Sequence, residues 1–562
     1  MRIPIIFFIL MVTGAFAQQI PTDYFDNPLK IPLQLSGTFG ELRSNHFHAG
    51  LDLRTQQREG IAIYAPADGY VHRIKVSHFG YGKALYIQHP NGYSTVYAHL
   101  KDYAGAIQEY VKKEQYRQQS YEVEMFPGVD VLKVRKGDLI GYTGNTGSSG
   151  GPHLHYEIRD ASSRPMNPLL FGMDIPDTRK PLINSVFVYP VGDSAHVNQD
   201  ANLKQLRLIP QEDGSYTTEK ITALGTLGFG VSAVDQQDGA NNRNGVYQIK
   251  THYNGQEKIS VLFDRISFDE TRYINRYTDY QYHAEHKTRI QKLFIERNNP
   301  LSIFKGSHQN GYITVADSTD GVYTIVVSDF KENQVTIHIP VTGKKMPILF
   351  PKKTSPFTHE ISARSGGEIH TAHYKVFFPG GALYEDAYLL VEEKEGILYL
   401  HQDHVPIHNS ITISTDISQY QETDREKLYI GKLQANLRDV SYVNTNRSGN
   451  TLSAKVRQLG NYKVAIDTIA PTVQPVNFAD KQWISNNKTL EIKIEDKQTG
   501  IKSYRATVNG KWILMEYEYK KNLLTYHFED GVLTDSENNL VLIVTDNVGN
   551  STKFEAVFYR KN

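Results

Sequence analysis

Short apolar strands alternating with glycine-rich turns run from about Asn27 to Phe171. Ile61 to Tyr64, Tyr70 to Val76, Ala84 to Gln88 and Ser94 to Ala98 are separated by Ala67-Asp68-Gly69, Gly80-Tyr81-Gly82 and Asn91-Gly92. The pattern predicts a compact antiparallel β unit. One stretch breaks it: Tyr103, Ala106, Ile107, Tyr110 and Val111 recur at helical spacing after Asp102, which predicts an amphipathic helix capped by Asp102 and ending near Gln118. Strand pattern resumes at Tyr121 to Met125. Beyond Pro176 the pattern is β throughout.

That second part repeats a phrase. Asp177-Thr178-Arg179-Lys180-Pro181 is echoed by Asp467-Thr468-Ile469-Ala470-Pro471. Each copy is followed by an Asp near a strand end (Asp235; Asp496), an Asn-Gly turn (Asn254-Gly255; Asn509-Gly510) and a closing strand and turn (Asp329 with Asn333; Asp546 with Asn550). The markers recur in one order, as module starts would. The four aspartates Asp235, Asp329, Asp496 and Asp546 suit turn stabilisation, and the same chemistry could hold Ca²⁺. The expected organisation is a leader at 1–17, a first domain at 18–175 with a helical insertion at about 101–130, a β-sandwich region at 176–350, a second β-sandwich at 351–466 and a closing module at 467–562. That last stretch has the length and strand rhythm of an immunoglobulin-like sandwich.

Composition sharpens this picture. The 562 residues suggest three to four domains, and 36 Tyr and 24 Phe against 2 Trp favour sheet. Lys+Arg and Asp+Glu both number 61, so no net field would draw the chain to nucleic acid or an anionic membrane. Arg2, the short apolar run from Ile3 to Phe16, and Ala15-Phe16-Ala17 before Gln18 read as a cleaved secretory signal, which predicts a secreted or periplasmic protein without a membrane anchor. The absence of Cys rules out a disulfide framework and a thiolate metal site.

The chemistry concentrates in three histidine clusters of the first domain: His46-Phe47-His48 leading to Asp52, Tyr97-Ala98-His99-Leu100, and His153-Leu154-His155. Residues i and i+2 of a strand share a face, so His153 and His155 can reach one cleft. A bulge or turn near Gly50 could aim both His48 and Asp52 inward. Two imidazoles and a carboxylate suit tetrahedral zinc with one open position, and such an ion lowers the pKa of a water towards ~7. The glycine-rich run from Gly144 to Pro152 enters His153 directly, where missing side chains would let backbone approach a ligand.

These residues resemble the M23 family of zinc metallopeptidases, the lysostaphin- or LytM-type endopeptidases. The strings are H-A-G-L-D at His48 to Asp52, A-P-A-D-G-Y-V at Ala65 to Val71, G-Y-G-K at Gly80 to Lys83, Y-A-H-L at Tyr97 to Leu100, V-R-K-G-D-L-I-G at Val134 to Gly141, and G-N-T-G-S-S-G-G-P-H-L-H-Y-E-I-R at Gly144 to Arg159. The resemblance covers about 130 residues. It implies an antiparallel LytM-type peptidase domain, so that with the Ig-like β-sandwiches expected after it the fold class is mainly β. It implies one Zn²⁺ per chain held by His48, Asp52 and His155, with His99 and His153 as catalytic residues beside it. The implied activity is hydrolysis of peptide cross-links in bacterial peptidoglycan, with envelope proteins as possible partners of the β modules. A non-catalytic regulator or a wall-binding scaffold is the alternative that the same resemblance allows. His46 is assigned to the surface or to a supporting place behind the ligands, and His72, His78 and His89 are read as structural. The stretch from Leu100 to Val134 is longer than the family's connection and is expected to border the substrate groove.

Overall fold

The computed structural model describes residues 20–561; the leader at 1–17 and its cleavage point before Gln18 lie outside the described residues. No helix among the described residues is long and apolar enough to cross a membrane.

The first domain is built on a nine-stranded sheet. Its path runs Leu35–Gly37, Leu51–Arg54, His153–Arg159, Ser94–Ala98, Lys83–Gln88, Gly69–Val76 and Val123–Met125, with every neighbouring pair antiparallel. Ala62–Tyr64, Leu139–Thr143 and Leu100–Tyr103 form a separate three-stranded sheet. Alternation decides which side is core. In His153–Arg159, Leu154, Tyr156 and Ile158 pack inward, while His153, His155, Glu157 and Arg159 share the opposite face. The Asn91-Gly92 turn forms as expected, with Gly92 at φ +88° and its N–H donating to the His89 carbonyl (3.1 Å).

The helix spans Gly105–Gln118 and buries Ile107 and Val111. Asp102 is not its cap: it lies on the Leu100–Tyr103 strand and pairs with Lys83 (3.4 Å), while Ala104 occupies the N-cap without a side-chain bond. The strand extends through Tyr103, which delays the helix start by two residues.

The region after Pro176 is less uniform than its pattern. Leu182–Val197 and Ile221–Val234 form the long antiparallel pair of a twelve-stranded sheet, but short helices at Ile274–Tyr277 and Tyr280–His286 interrupt the strands. Asp279 explains the second helix, since its carboxylate accepts the Tyr282 N–H (2.9 Å). This region is not a separate bead. One apolar cluster takes in residues from Phe25 through Val341, and Leu514 of the closing module as well, so the first domain and the twelve-stranded sheet share a core. At their junction Phe47 lies against Phe263 and Tyr277, with ring centroids 6.0 and 6.2 Å apart.

Two further cores are distinct. Ile361 to Tyr462 fill the space between two five-stranded sheets, and Phe478 to Phe558 lie between a four- and a five-stranded sheet. The last module docks back onto the first domain's helix. Asp530 receives Lys112 Nζ and the Tyr116 hydroxyl (2.6 Å for the latter), and Trp512 packs on Tyr116 with centroids 5.3 Å apart. The repeated aspartates converge as well: Asp177, Asp235 and Asp329 form one group, and Asp467, Asp496 and Asp546 another.

Because Phe263 is 1% exposed and braces Phe47 across the junction, Phe263→Ala should cost about 3 kcal/mol or more. Urea unfolding of the full chain, followed by tryptophan and tyrosine fluorescence, measures it. An unchanged midpoint would show that the two regions do not depend on one core.

Candidate active site

The cleft is assembled by strand register. His155 stands directly opposite Asp52 on one side and Ala98 on the other, so the three side chains share a face. His48 arrives from the loop before Leu51–Arg54, held from behind by Phe47 in the junction core and by the Phe47 N–H donating to Thr271 Oγ1 (2.9 Å). His48 Nε2, Asp52 Oδ1 and His155 Nδ1 then lie 3.0 Å from one another, pair by pair. All three residues are buried.

The chain bends at Gly50, and a Cβ there would lie 2.4 Å from the Tyr156 carbonyl oxygen, so the glycine also permits close strand approach. Gly37 does a related job: a Cβ would strike Arg43 Nη2 and Asp52 Oδ2, which are themselves paired at 3.1 Å.

The remaining polar atoms of the trio are tied down. His48 Nδ1–H donates to the Thr38 carbonyl (2.7 Å), and His155 Nε2–H donates to Glu157 Oε1 (2.9 Å). Since a carbonyl or carboxylate can only accept, these bonds set the tautomers and turn His48 Nε2 and His155 Nδ1 towards Asp52. Glu157 is wholly buried, and the Tyr81 hydroxyl and Arg159 Nε (2.6 Å) both donate to it. Burial would raise the Glu157 carboxyl, but Arg159 and then His155 bring it down to about 2. Burial likewise opposes ionisation of Asp52, yet His48, His153 and His155 hold it well below the ordinary carboxylate range.

The donors fit a divalent metal. Ligand atoms about 2.0–2.1 Å from a tetrahedral ion sit roughly 3.3 Å apart, close to the 3.0 Å spacings here. The hydrogen-bonded outer nitrogens and Arg43 on Asp52 Oδ2 are the supporting contacts such a site uses.

Two histidines border this trio. His99 Nδ1–H donates to the Thr146 carbonyl and His153 Nδ1–H to the Gly151 carbonyl (both 2.8 Å), which leaves each Nε2 for the cleft. Their ring centroids are 4.8 Å apart, and His153 Nε2 is 3.3 Å from Asp52 Oδ1. Burial, then the neighbouring His155 and His153, push His99 down to about 3. Its backbone is left-handed at φ +61°, a strain of ~1–2 kcal/mol for a non-glycine residue, held by its N–H to the Tyr81 carbonyl (2.9 Å). His46 is exposed and bonds the Ser44 carbonyl (2.9 Å). His89 is buried between the Asp68 carbonyl and Thr95 (2.8 Å each).

The glycine run divides by role. Gly147, at φ +70°, packs its backbone on Gly80 and Gly82, whereas Gly150 and Gly151 have open space where a Cβ would stand. Lys520 of the last module caps the run, its Nζ donating to the carbonyls of Asn145, Gly147 (3.1 Å) and Ser149 (3.2 Å). Glu516 of the same module pairs with Lys83 at 2.9 Å. The Gly105–Gln118 helix therefore meets the last module on its exposed side, and it is Lys520 that reaches the glycine run beside His153.

Sequence reasoning alone does not single out Arg43, Tyr81, Glu157 or Arg159. One signal is present: His153, His155, Glu157 and Arg159 alternate with buried apolar residues, so four polar side chains must share one face.

The residues 46–116 and 130–168 match the family model of Peptidase family M23, and 359–467 match a Zu5-like domain. The DD-carboxypeptidase/endopeptidase Mpg of Neisseria meningitidis serogroup B is 34% identical over 136 residues, 24% of this chain and 25% of that protein. The peptidoglycan DD-endopeptidase ShyA of Vibrio cholerae is 36% identical over 108 residues, 19% of each. The chain spans about a quarter or less of the length of these curated relatives. A crystal structure of a zinc-containing peptidase from Vibrio cholerae is 25% identical, with a TM-score of 0.20, covering 27% of this chain and 41% of that one.

Metal uptake should depend on pH with a defined sign. Burial disfavours the His155 cation, but hydrogen bonds to Asp52 and Glu157 outweigh it and raise His155 to about 9 without metal. Below that pH a metal must displace the Nδ1 proton, so apparent affinity should climb about tenfold per unit and level off above it. Competition with a chromophoric chelator reads this directly. Glu157→Gln should weaken binding about 10–100-fold; a flat pH profile in the unaltered chain would mean that no proton on His155 is displaced.

Proposed function

We propose, from the M23 peptidase domain within residues 46–168, that this protein is a secreted zinc metalloendopeptidase that hydrolyses peptide cross-links of bacterial peptidoglycan. The observation that carries the reading is the 3.0 Å triangle of His48 Nε2, Asp52 Oδ1 and His155 Nδ1, with every outer atom already hydrogen-bonded. Those three atoms would hold one ion per chain. When bound, Zn²⁺ supplies Lewis acidity, which acidifies water and polarises a peptide carbonyl.

The chain's own residues divide the proton work. His99 is kept neutral by burial and by its histidine neighbours, and with Nδ1–H committed to Thr146 its Nε2 carries the lone pair a general base needs. It takes the proton of the attacking water. His153 Nε2 faces the same space, 3.3 Å from Asp52 Oδ1. A polar side chain there suits the carbonyl oxygen as charge develops on it, and the proton taken by His99 passes to the leaving amine. The open rim at Gly150 and Gly151 suits a substrate of small and D-configured residues, and the Ala15-Phe16-Ala17 leader would deliver the enzyme to the cell envelope. Retention of all five polar positions favours this reading over a non-catalytic regulator.

Zinc content and turnover of purified peptidoglycan should separate the roles. His155→Ala, His48→Ala and Asp52→Ala lose metal and activity together. His99→Ala and His153→Ala keep most of the zinc and lose about 10²–10⁴ in rate. Wild-type zinc occupancy in the first set would refute the ligand assignment.

Lys520→Ala tests the reach of the last module. It should leave zinc content unchanged and lower kcat/KM on wall peptide by roughly tenfold, because the loop from Asn145 to Ser149 loses its cap. Unchanged kinetics would leave that contact a purely architectural one.

A further inference from the structure

A second cluster of ligand-type side chains lies away from the cleft, where the first domain meets the twelve-stranded sheet. Asp177, Asp235 and Asp329 present carboxylate oxygens that all lie within 4.8 Å of one another. Asp235 is 5% and Asp329 4% exposed. Among the described residues none of the three forms an ion pair with Lys, Arg or His. The nearby cations are engaged elsewhere, Arg179 on Gln236 and the Ala240 carbonyl, and Lys331 on Asp174. Three carboxylates this close repel strongly at low dielectric unless positive charge joins them.

Independent of the acids, a fourth side chain points to a missing partner. Asn244 is 2% exposed, and neither its Oδ1 nor its Nδ2 has a hydrogen-bond partner; Asp235 Oδ1 is likewise unpartnered. Native interiors rarely leave such atoms unpaired, since each costs on the order of 1–3 kcal/mol in desolvation. Asn244 and the three aspartates line one cavity of about 40 Å³. A single water needs only ~10–15 Å³ on that measure, so the space takes an ion with one or two waters.

We propose that this cavity is a Ca²⁺ site formed by Asp177, Asp235, Asp329 and Asn244 Oδ1. The donors are all hard oxygens. Ca²⁺ accepts six to eight of them in irregular geometry, with bidentate carboxylates and water completing the shell, whereas Mg²⁺ holds several waters in a strict octahedron that this enclosure cannot seat. Asn333 fixes the group from outside, its Nδ2 donating to Asp329 Oδ2 (2.8 Å) and to the Asp177 carbonyl (3.2 Å). The last module repeats the arrangement with Asp467, Asp496, Asp546 and Asn550, but none of these four has an unpartnered buried atom, so the inference is confined to the first copy.

The site's position gives it a use. Asp235 and Asn244 are the paired ends of a loop whose members clamp the peptidase edge strand. Gln237 Oε1 accepts the Leu35 N–H (2.8 Å), and Gly245 exchanges two bonds with Thr38 Oγ1 (2.9 and 3.2 Å). The Thr38 carbonyl is the acceptor that orients His48. An ion between the loop ends would fix this clamp, and with it the edge of the cleft.

Calorimetric titration of the zinc-loaded full chain with CaCl₂ tests the proposal. Saturable uptake is expected with a Kd on the order of 10⁻⁴ M or tighter, and much weaker uptake of MgCl₂. One Ca²⁺ equivalent should vanish in Asp235→Asn and remain in Asp546→Asn, and Asn244→Ala should weaken the same equivalent at least about tenfold. Ca²⁺ should also slow proteolytic nicking between 236 and 243 in the unaltered chain. If Asp235→Asn fails to fold, the titration of Asn244→Ala decides. No saturable uptake up to about 10 mM Ca²⁺, or the same stoichiometry and affinity in Asn244→Ala as in the unaltered chain, would overturn it.

Discussion

The antiparallel register that sets His155 against Asp52 is the constraint on which the site depends. Strand side chains alternate with period two, so a slip of one residue would bury His153, His155, Glu157 and Arg159 in the apolar core and expose Leu154, Tyr156 and Ile158. The cost of burying that polar set prevents the slip. The same register puts Ala98 on the other side of His155, where it is fully buried with Ala84, Tyr86 and Val96 against Tyr81. Beneath the cleft, the wholly buried Glu157 links His155 to Arg159 and Tyr81. Its negative charge is tolerable only because three donors converge on it, and through it the imidazole orientation is coupled to packing on the far strands.

The peptidase fold does not supply its own edges. His48 is aimed by Phe47, which sits in a core shared with the twelve-stranded sheet, and by Thr38, which is clasped by Gly245 of that region. The opposite rim, the glycine run leading to His153, is capped by Lys520 more than 350 positions along the chain. Two separate β regions thus grip opposite walls of one cleft. Movement of either would register first in the positions of His48 and His153, the residues that arrive from loops and loop-adjacent strand ends. The β modules therefore have a role in shaping the site that a string of independent spacers would lack.

Much of the site is legible in the sequence because its residues violate their surroundings: histidines at i and i+2 in an apolar strand, and an aspartate four positions after His48, have few structural reasons to be there. The β character and the repeated Asp-marked modules are legible for a similar reason, since alternation and turn residues are local signals. What escapes is long-range. Arg43 is recognisable as a partner only when Gly37 makes room for it beside Asp52, and Tyr81 only when the sheet brings it over Glu157. Asp102 has the look of a helix cap because it precedes the helical period, yet strand pairing with Leu139–Thr143 claims that segment through Tyr103. The helix at Ile274–Tyr277 escapes the pattern because all four of its residues are buried and no amphipathic alternation marks it, while that at Tyr280–His286 buries none and starts from the Asp279 cap.

The central claim is that the sheet register, with the loop that carries His48, delivers two imidazoles and one carboxylate to a single ion. X-ray absorption at the zinc edge, on the full chain loaded with one equivalent of Zn²⁺, tests it most directly. The account predicts two imidazole nitrogens and a carboxylate oxygen at about 2.0–2.2 Å, unchanged in His99→Ala and lost in His155→Ala. A shell with three or four imidazoles, or one altered by His99→Ala and indifferent to His155→Ala, would contradict it.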